Sequence, residues 1–225
     1  GALEEYIITD EKDTQEQKDV TSKFKIIPRP DQKPVLDYKK GYMGISAVPG
    51  AGKTTILLAL IIKLLENGAN PEHIFVLTYM ESAARNFRER IKNVRKNTSK
   101  LPNISTIHGL ALRILKENGN YEKLGLEGDF EICDDSQRGR ILHEISTKLG
   151  IKPKLAEEFD RAVSILKMGG GVLPNNIADA KLKQFMEYYK LYREKLKNNN
   201  LIDYDDMLTG AVRILEQNPD ILKYY

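Results

Sequence analysis

Apolar positions crowd the stretch from Ile56 to Leu65, where Ile56, Leu57, Leu58, Leu60, Ile61, Ile62, Leu64 and Leu65 leave hardly any polar face. A helix with that pattern is buried on nearly all sides, and Asn67-Gly68 supplies its stop. The short apolar run Tyr42 to Ser46 (YMGIS) precedes it and reads as a strand. His73 to Leu77 (HIFVL) is short and β-branched, which predicts a second, buried strand. It feeds another helix, TYMESAARNFRERI. Asn103 to Ile107 (NISTI) gives a third strand, and Leu110, Leu112, Ile114 and Leu115 mark the helix after it. Strands alternating with helices predict an α/β fold with a parallel sheet.

Near Asn118 the pattern changes. Asp134 and Gln137 resemble a capping box, followed by Ile141, Leu142, Ile145 and Leu149 at helical spacing and by Gly150 as a stop. Leu155, Phe159, Ala162, Val163 and Leu166 mark a second helix, and Met168-Gly169-Gly170-Gly171 breaks it. Leu182, Phe185, Met186, Tyr189 and Leu196 mark a third. Residues 118–200 therefore read as an all-helical subdomain inserted into the α/β domain, with the tyrosines of YYKLY as core and rim. Leu201-Ile202 ahead of Asp203 look at first like the end of an acidic strand. Only two apolar residues stand there, however, after Asn198 to Asn200. The stretch reads instead as a helix N-terminus, where the dipole favours acids, with Met207, Leu208, Ala211, Ile214 and Leu215 on one face. Asn218-Pro219 caps a last short helix.

The 225 residues suffice for one or two domains with real cores, and 41% hydrophobic with 30% charged residues is a globular composition. No apolar run approaches the ~20 residues that span a bilayer, so no membrane partner is expected. The single cysteine, Cys133, excludes an internal disulfide and suits a reducing compartment. Charge is unevenly spread. Residues 1–22 hold seven acids and two lysines, a net of −5 within a chain total of +3, which leaves +8 on the remainder. That acidic, polar segment reads as a solvated tail, and the basic body suits a polyanionic partner.

The chemistry centres on AVPGAGKTT. Gly50, Gly52, Lys53 and Thr54 match the second half of the phosphate-binding pattern G-x-x-x-x-G-K-[ST], with Ala47 in place of the first glycine. Glycines let successive backbone N–H groups point into one anion-binding hollow. The following helix start adds its orphan N–H groups and positive dipole end. Lys53 supplies a point charge for the β- and γ-phosphates, and the Thr54 hydroxyl is placed to ligate Mg²⁺. Pro49 stiffens a segment that must not become helix. Upstream, the Gln32 amide offers a donor and an acceptor that match an adenine edge. Residues 85–100 hold seven bases and one acid, beside Tyr79 at the end of the second strand. An aromatic ring among clustered Arg and Lys is what single-stranded nucleic acid needs. His108 follows the third strand and reads as bonding a neighbour or a phosphate, since no partner has metal-ligand spacing. Two other classes fit these residues as well: an unrelated P-loop kinase or ATPase with a basic surface, and a non-catalytic module that binds DNA or a partner through the helical insertion.

Four segments stand in a fixed order: PDQ, AVPGAGKTT, LTYMESAARNFRERI and ISTIHGLALRIL. Together they resemble the Q motif and motifs I, Ia and Ib of the amino-terminal motor domain in superfamily 1 DNA helicases of the UvrD/Rep type. An alanine at the position of Ala47 is usual there. The resemblance runs from about Pro28 to Tyr225 and implies a RecA-like P-loop NTPase domain over 24–117 and 201–225. The tail (1–23) precedes it, and 118–200 corresponds to the 1B insertion that helps bind duplex DNA. It implies ATP and Mg²⁺ as cofactors, with Gln32 on adenine and Ala47, Val48, Pro49, Gly50, Ala51, Gly52, Lys53, Thr54 and Thr55 around the triphosphate. Lys53 and Thr54 would carry the catalytic and metal contacts. Thr78, Tyr79, Thr106 and His108 would line the single-strand path, with Tyr79 where the family usually has Phe. Met80, Glu81 and Ser82 stand where Thr-Asn-Lys is common, which replaces a basic residue with a neutral one. Leu201 to Asp206 resembles the family's L-D-F-D-D-L segment. The family's next element is the Walker B strand with its Asp-Glu pair, and the sequence reaches Tyr225 before any such strand. The resemblance therefore implies a portion of a longer cytoplasmic, nucleoid-associated 3′→5′ helicase, with the second motor domain as its partner and little hydrolysis by this portion alone.

Overall fold

The computed structural model describes residues 28–39, 41, 43–46, 50, 52–94, 100–169 and 179–225. The acidic tail and Tyr42, Ala47, Val48, Pro49 and Ala51 lie outside the described residues. The chain divides into two compact units, one ending at Thr106 and one starting at Ile107.

The first unit runs through α1 (Lys33–Leu36), α2 (Lys53–Glu66), β1 (Phe75–Thr78), α3 (Glu81–Val94) and β2 (Asn103–Thr106). Helix α2 is its centre and buries Ile56, Leu58, Leu60, Ile61, Ile62 and Leu65, as its apolar pattern predicts, while Leu57 stays exposed. Val35 and Leu36 of α1 join that core, as do Ala84, Phe87 and Ile91 of α3, which share one helix face at steps of three and four. β1 and β2 pair in parallel, with Phe75 opposite Asn103 and Thr78 opposite Thr106. Parallel strands need a crossover rather than a hairpin, and α3 lies on that crossover. The strand expected over YMGIS does not form among the described residues, since Met43 to Ser46 have no ladder partner there. A strand exists only through its pairing. Ile45 nevertheless packs against the α2 core.

The second unit runs through α4 (Ile107–Lys116), β3 (Glu131–Cys133), α5 (Asp135–Lys148), α6 (Pro153–Met168), α7 (Asp179–Asn198), β4 (Leu201–Asp203), α8 (Tyr204–Gln217) and α9 (Pro219–Tyr224). The three helices expected within 118–200 are present as α5, α6 and α7. The Asp134 side chain accepts from the Gln137 N–H at 2.7 Å and caps α5. Tyr188 and Tyr192 are buried and Tyr189 is half-buried, so YYKLY is core and rim. Burial pushes the Tyr188 hydroxyl up to about 12.

Two expectations need correction here. The 118–200 stretch is not all helical, because β3 lies within it and pairs in parallel with β4. Leu201 to Asp203 is thus a strand after all. Three residues carry too little alternation to announce one, and the partner that makes it a strand lies far upstream. Asn200 sets the alignment: left-handed at φ 51°, it accepts the Glu127 N–H on Oδ1 at 2.9 Å and the Glu131 N–H on its backbone carbonyl at 3.1 Å. Asparagine tolerates that conformation better than other non-glycine residues. The last short helix starts where expected. Asn218 is the N-cap of α9 and accepts the Leu222 N–H on its backbone carbonyl at 3.0 Å, with Pro219 at the first helical position. The Asn218 side chain donates back to the Ile214 carbonyl at 2.7 Å. The helix start expected at the acids does hold: Asp203 caps α8 by accepting the Asp206 N–H at 2.9 Å.

Strand β4 separates two cores. Leu201 belongs to the cluster of α5, α6 and α7, whereas Ile202 belongs to the cluster formed by α4 and α8. Residues two apart share a strand face, so Asp203 points with Leu201 into the helical cluster. Its Oδ2 accepts from Lys167 Nζ at 2.5 Å and from the Tyr192 hydroxyl at 2.7 Å. Lys167 also donates to Asp206 Oδ2 at 2.8 Å and lies 4.9 Å from the Tyr192 ring centre, a cation–π contact. The Lys167 and Asp203 side chains are 2% and 1% exposed. Burial works to raise the Asp203 carboxyl, but the Lys167 charge and the converging hydrogen bonds hold it below its ordinary 3.8. That stabilisation is complete above the ordinary value and is lost as pH falls through the lower folded one. Replacing Lys167 by Met strands a buried carboxylate, which should lower the unfolding free energy by about 3–5 kcal/mol. Urea denaturation measures this, and a change below about 1 kcal/mol would show that the pair does not control the core.

Candidate functional site

The turn before α2 is set by two glycines. Gly50 and Gly52 both take left-handed backbone, at φ 80° and 81°. A side chain at either position would be strained. Gly52 is the N-cap, and the Ile56 N–H donates to its carbonyl at 3.0 Å to close the first helical turn. Lys53 and Thr54 emerge exposed at that turn, while Thr55 is buried beneath it. Helix geometry leaves the first N–H groups without intrahelical acceptors, and they lie beside an ammonium and a hydroxyl. This arrangement can receive a polyanion and offer one oxygen ligand to a divalent cation. Among the described residues no cluster of three His, Cys, Asp or Glu could hold a metal ion by itself. Upstream, the side-chain oxygen of Gln32 accepts from the Arg29 N–H at 3.1 Å, so it is engaged within its own turn.

At the carboxyl ends of β1 and β2 the parallel register sets Thr78 directly opposite Thr106. Adjacent strands lie roughly 5 Å apart, so these two predicted contact residues share one ridge. Thr78 Oγ1 donates to the Met80 carbonyl at 3.0 Å and shapes the turn into α3. Tyr79 projects from that turn with 89% of its surface exposed, a free ring face rather than a core aromatic. The basic segment behind it is partly committed to the fold. Arg88 donates through Nε to the Ile104 carbonyl at 3.1 Å and through Nη2 to Glu81 Oε1 at 2.9 Å. Glu81, the acid where the helicase pattern has a polar residue, is thereby neutralised within α3. Lys100 pairs with Glu72 at 2.8 Å.

His108 lies in the second unit, in the first turn of α4. Its ring meets Tyr204 edge-on, with centroids 5.2 Å apart and planes at 74°. The sequence did not mark Tyr204, the first residue of α8, as a site residue. The signal was available in the segment LIDYDD, where Tyr204 stands in place of the Phe of L-D-F-D-D-L. It also missed Arg138 and Lys167. Both are charged residues at apolar-stripe positions: Arg138 precedes Ile141 and Leu142 by three and four, and Lys167 follows Val163 by four. Among the described residues no helix is long and apolar enough to cross a membrane.

Comparison with known proteins identifies the family of the chain. The family model for the UvrD/REP helicase N-terminal domain matches residues 29–225. The ATP-dependent DNA helicase PcrA of Staphylococcus aureus is 27% identical over 209 residues, covering 87% of this chain and 27% of that protein. A probable DNA helicase II homolog of Mycoplasma capricolum is 30% identical over 192 residues, covering 79% of this chain and 26% of that protein. The ATP-dependent DNA helicase Rep of Buchnera aphidicola is 31% identical over 192 residues, covering 83% of this chain and 28% of that protein. The chain thus spans little more than a quarter of the length of these relatives. With a match over nearly all its described length, the chain belongs to the UvrD/REP helicase N-terminal domain family.

Proposed function

We propose that this chain is the ATP-binding and single-stranded-DNA-binding portion of an ATP-dependent DNA helicase or translocase that moves 3′→5′ in the cytoplasm, at the nucleoid. The observation that carries the reading is the left-handed pair Gly50 and Gly52, which delivers Lys53 and Thr54 exposed at the head of a buried helix. In this reading Gly50 to Thr55, with Ala47, Val48, Pro49 and Ala51, wrap the triphosphate, and Gln32 faces adenine. Thr54 suits Mg²⁺ as one oxygen ligand, and the bound metal would neutralise charge on the β- and γ-phosphates. Thr78, Tyr79 and Thr106 contact the strand in the first unit, and His108 is a strand contact of the second unit. Residues 24–117 and 201–225 make up the ATPase portion and 118–200 the insertion that meets duplex DNA. The remainder of the helicase chain, with its second motor domain, is the necessary partner.

Lys53→Ala removes the point charge on the phosphates and should abolish measurable nucleotide binding in a fluorescent-nucleotide titration. Unchanged affinity would remove the phosphate-loop assignment. Phosphoryl transfer also requires a metal-holding Asp and a water-activating Glu, which this reading places in the rest of the parent protein. The 225 residues alone should then bind nucleotide weakly and release phosphate little above background, with or without DNA. Strong DNA-stimulated release would refute that division of labour. Tyr79→Ala should weaken binding of a single-stranded oligonucleotide by about 1–3 kcal/mol if a base stacks on the ring. Fluorescence anisotropy reads this, and an unaltered Kd would place the strand elsewhere.

A further inference from the structure

The first turn of α8 is anchored through three acids. Lys167 of α6 holds Asp203 and Asp206. Asp205 is held separately. Arg138 of α5 donates through Nη1 to Asp205 Oδ2 at 3.3 Å and to Ser164 Oγ at 3.0 Å. Through Nη2 it donates to the Asp160 carboxylate at 2.5 Å and to the Asp160 carbonyl at 3.2 Å. The Ser164 hydroxyl in turn donates to Asp205 Oδ2 at 2.7 Å. One guanidinium therefore fixes α5, α6 and α8 to each other. Its planar fork can do this where a lysine could not.

This arrangement is a poor source of stability. The Arg138 side chain is 16% exposed, and its Nε is buried with no hydrogen-bond partner among the described residues. A half-buried charge with a buried, unsatisfied donor gains little over an apolar residue of similar volume. What the fork secures is direction. Asp205 is adjacent to Tyr204, which is 36% exposed and so has only partial packing to orient its ring. That ring meets His108.

We propose that Arg138 is a positioning residue. Through Asp205 it fixes the start of α8 and so holds Tyr204 edge-on against His108, which presets the imidazole for the nucleic-acid strand. The proposal rests on the reading of His108 as a strand contact.

The test uses the 225-residue chain with a fluorescein-labelled oligothymidylate, read by anisotropy. Arg138→Gln and Tyr204→Ala should each raise Kd by roughly three- to tenfold. The double variant should be no weaker than Tyr204→Ala, because Arg138 acts through that ring. Fully additive losses would overturn the proposal. A second readout is the ring-proton resonances of the three histidines. Arg138→Gln should move those of His108 toward their positions in Tyr204→Ala and leave His73 and His143 in place. Unmoved His108 resonances, or an equal shift of all three, would mean that the role is only structural. If Arg138→Gln does not fold, Asp205→Asn breaks the same link from its other end. His108→Ala separates the two layers. If it leaves Kd unchanged, or the unaltered chain does not bind, the strand-contact reading falls and the proposal with it. If it weakens binding while Arg138→Gln does not, only the proposal falls.

Discussion

Two parallel strands cannot be joined by a hairpin, and this constraint organises both units. Each ladder forces the chain to leave a strand at its carboxyl end and return through helix. Carboxyl ends of parallel strands consequently gather turns and helix starts, where ligands of open α/β sheets bind. In the first unit that end bears Thr78 and Thr106 side by side, with Tyr79 just beyond. In the second, β4 ends at Asp203 and hands the chain to Tyr204. Residues assigned to nucleic acid therefore sit where the backbone changes direction rather than on the faces of long helices.

The glycine turn at the head of α2 obeys a related rule. A buried helix such as α2 cannot shift without disturbing its core, so whatever stands at its head is held rigidly. Left-handed glycines place a lysine and a threonine there. Burial of the helix and exposure of its first turn belong together, because apolar packing holds in place the residues of that first turn.

The second unit resolves a different conflict. Strand alternation points Asp203 into an apolar cluster, which alone would be costly. Lys167 and Tyr192 answer it at 2.5 and 2.7 Å. The resulting buried pair ties the strand, α6, α7 and the head of α8 together. Arg138 extends the same logic to Asp205 and brings α5 into the arrangement. Charge here fixes the direction of one helix rather than adding surplus stability.

Long periodic patterns are legible in the order of residues alone. The helices α2, α5, α6 and α7, the presence of the β1 and β2 strands and the buried tyrosines of YYKLY follow from local spacing. The expected burial of β1 does not, since it is at most half-buried with Leu77 exposed, and Leu57 of α2 is exposed as well. The left-handed turn at Gly50 and Gly52 ahead of α2 is equally legible, since glycine spacing depends on neighbours in sequence. What local spacing cannot give is pairing across distance. The strand at Leu201 to Asp203 exists only because Glu131 to Cys133 lies beside it, and Met43 to Ser46, apolar as it is, forms no ladder among the described residues. The facing of Thr78 and Thr106, the contact of His108 with Tyr204, the burial of Lys167 and the half-burial of Arg138 are decided by tertiary structure alone. Periodicity fixes which side of an element is apolar, but only packing decides which element it meets.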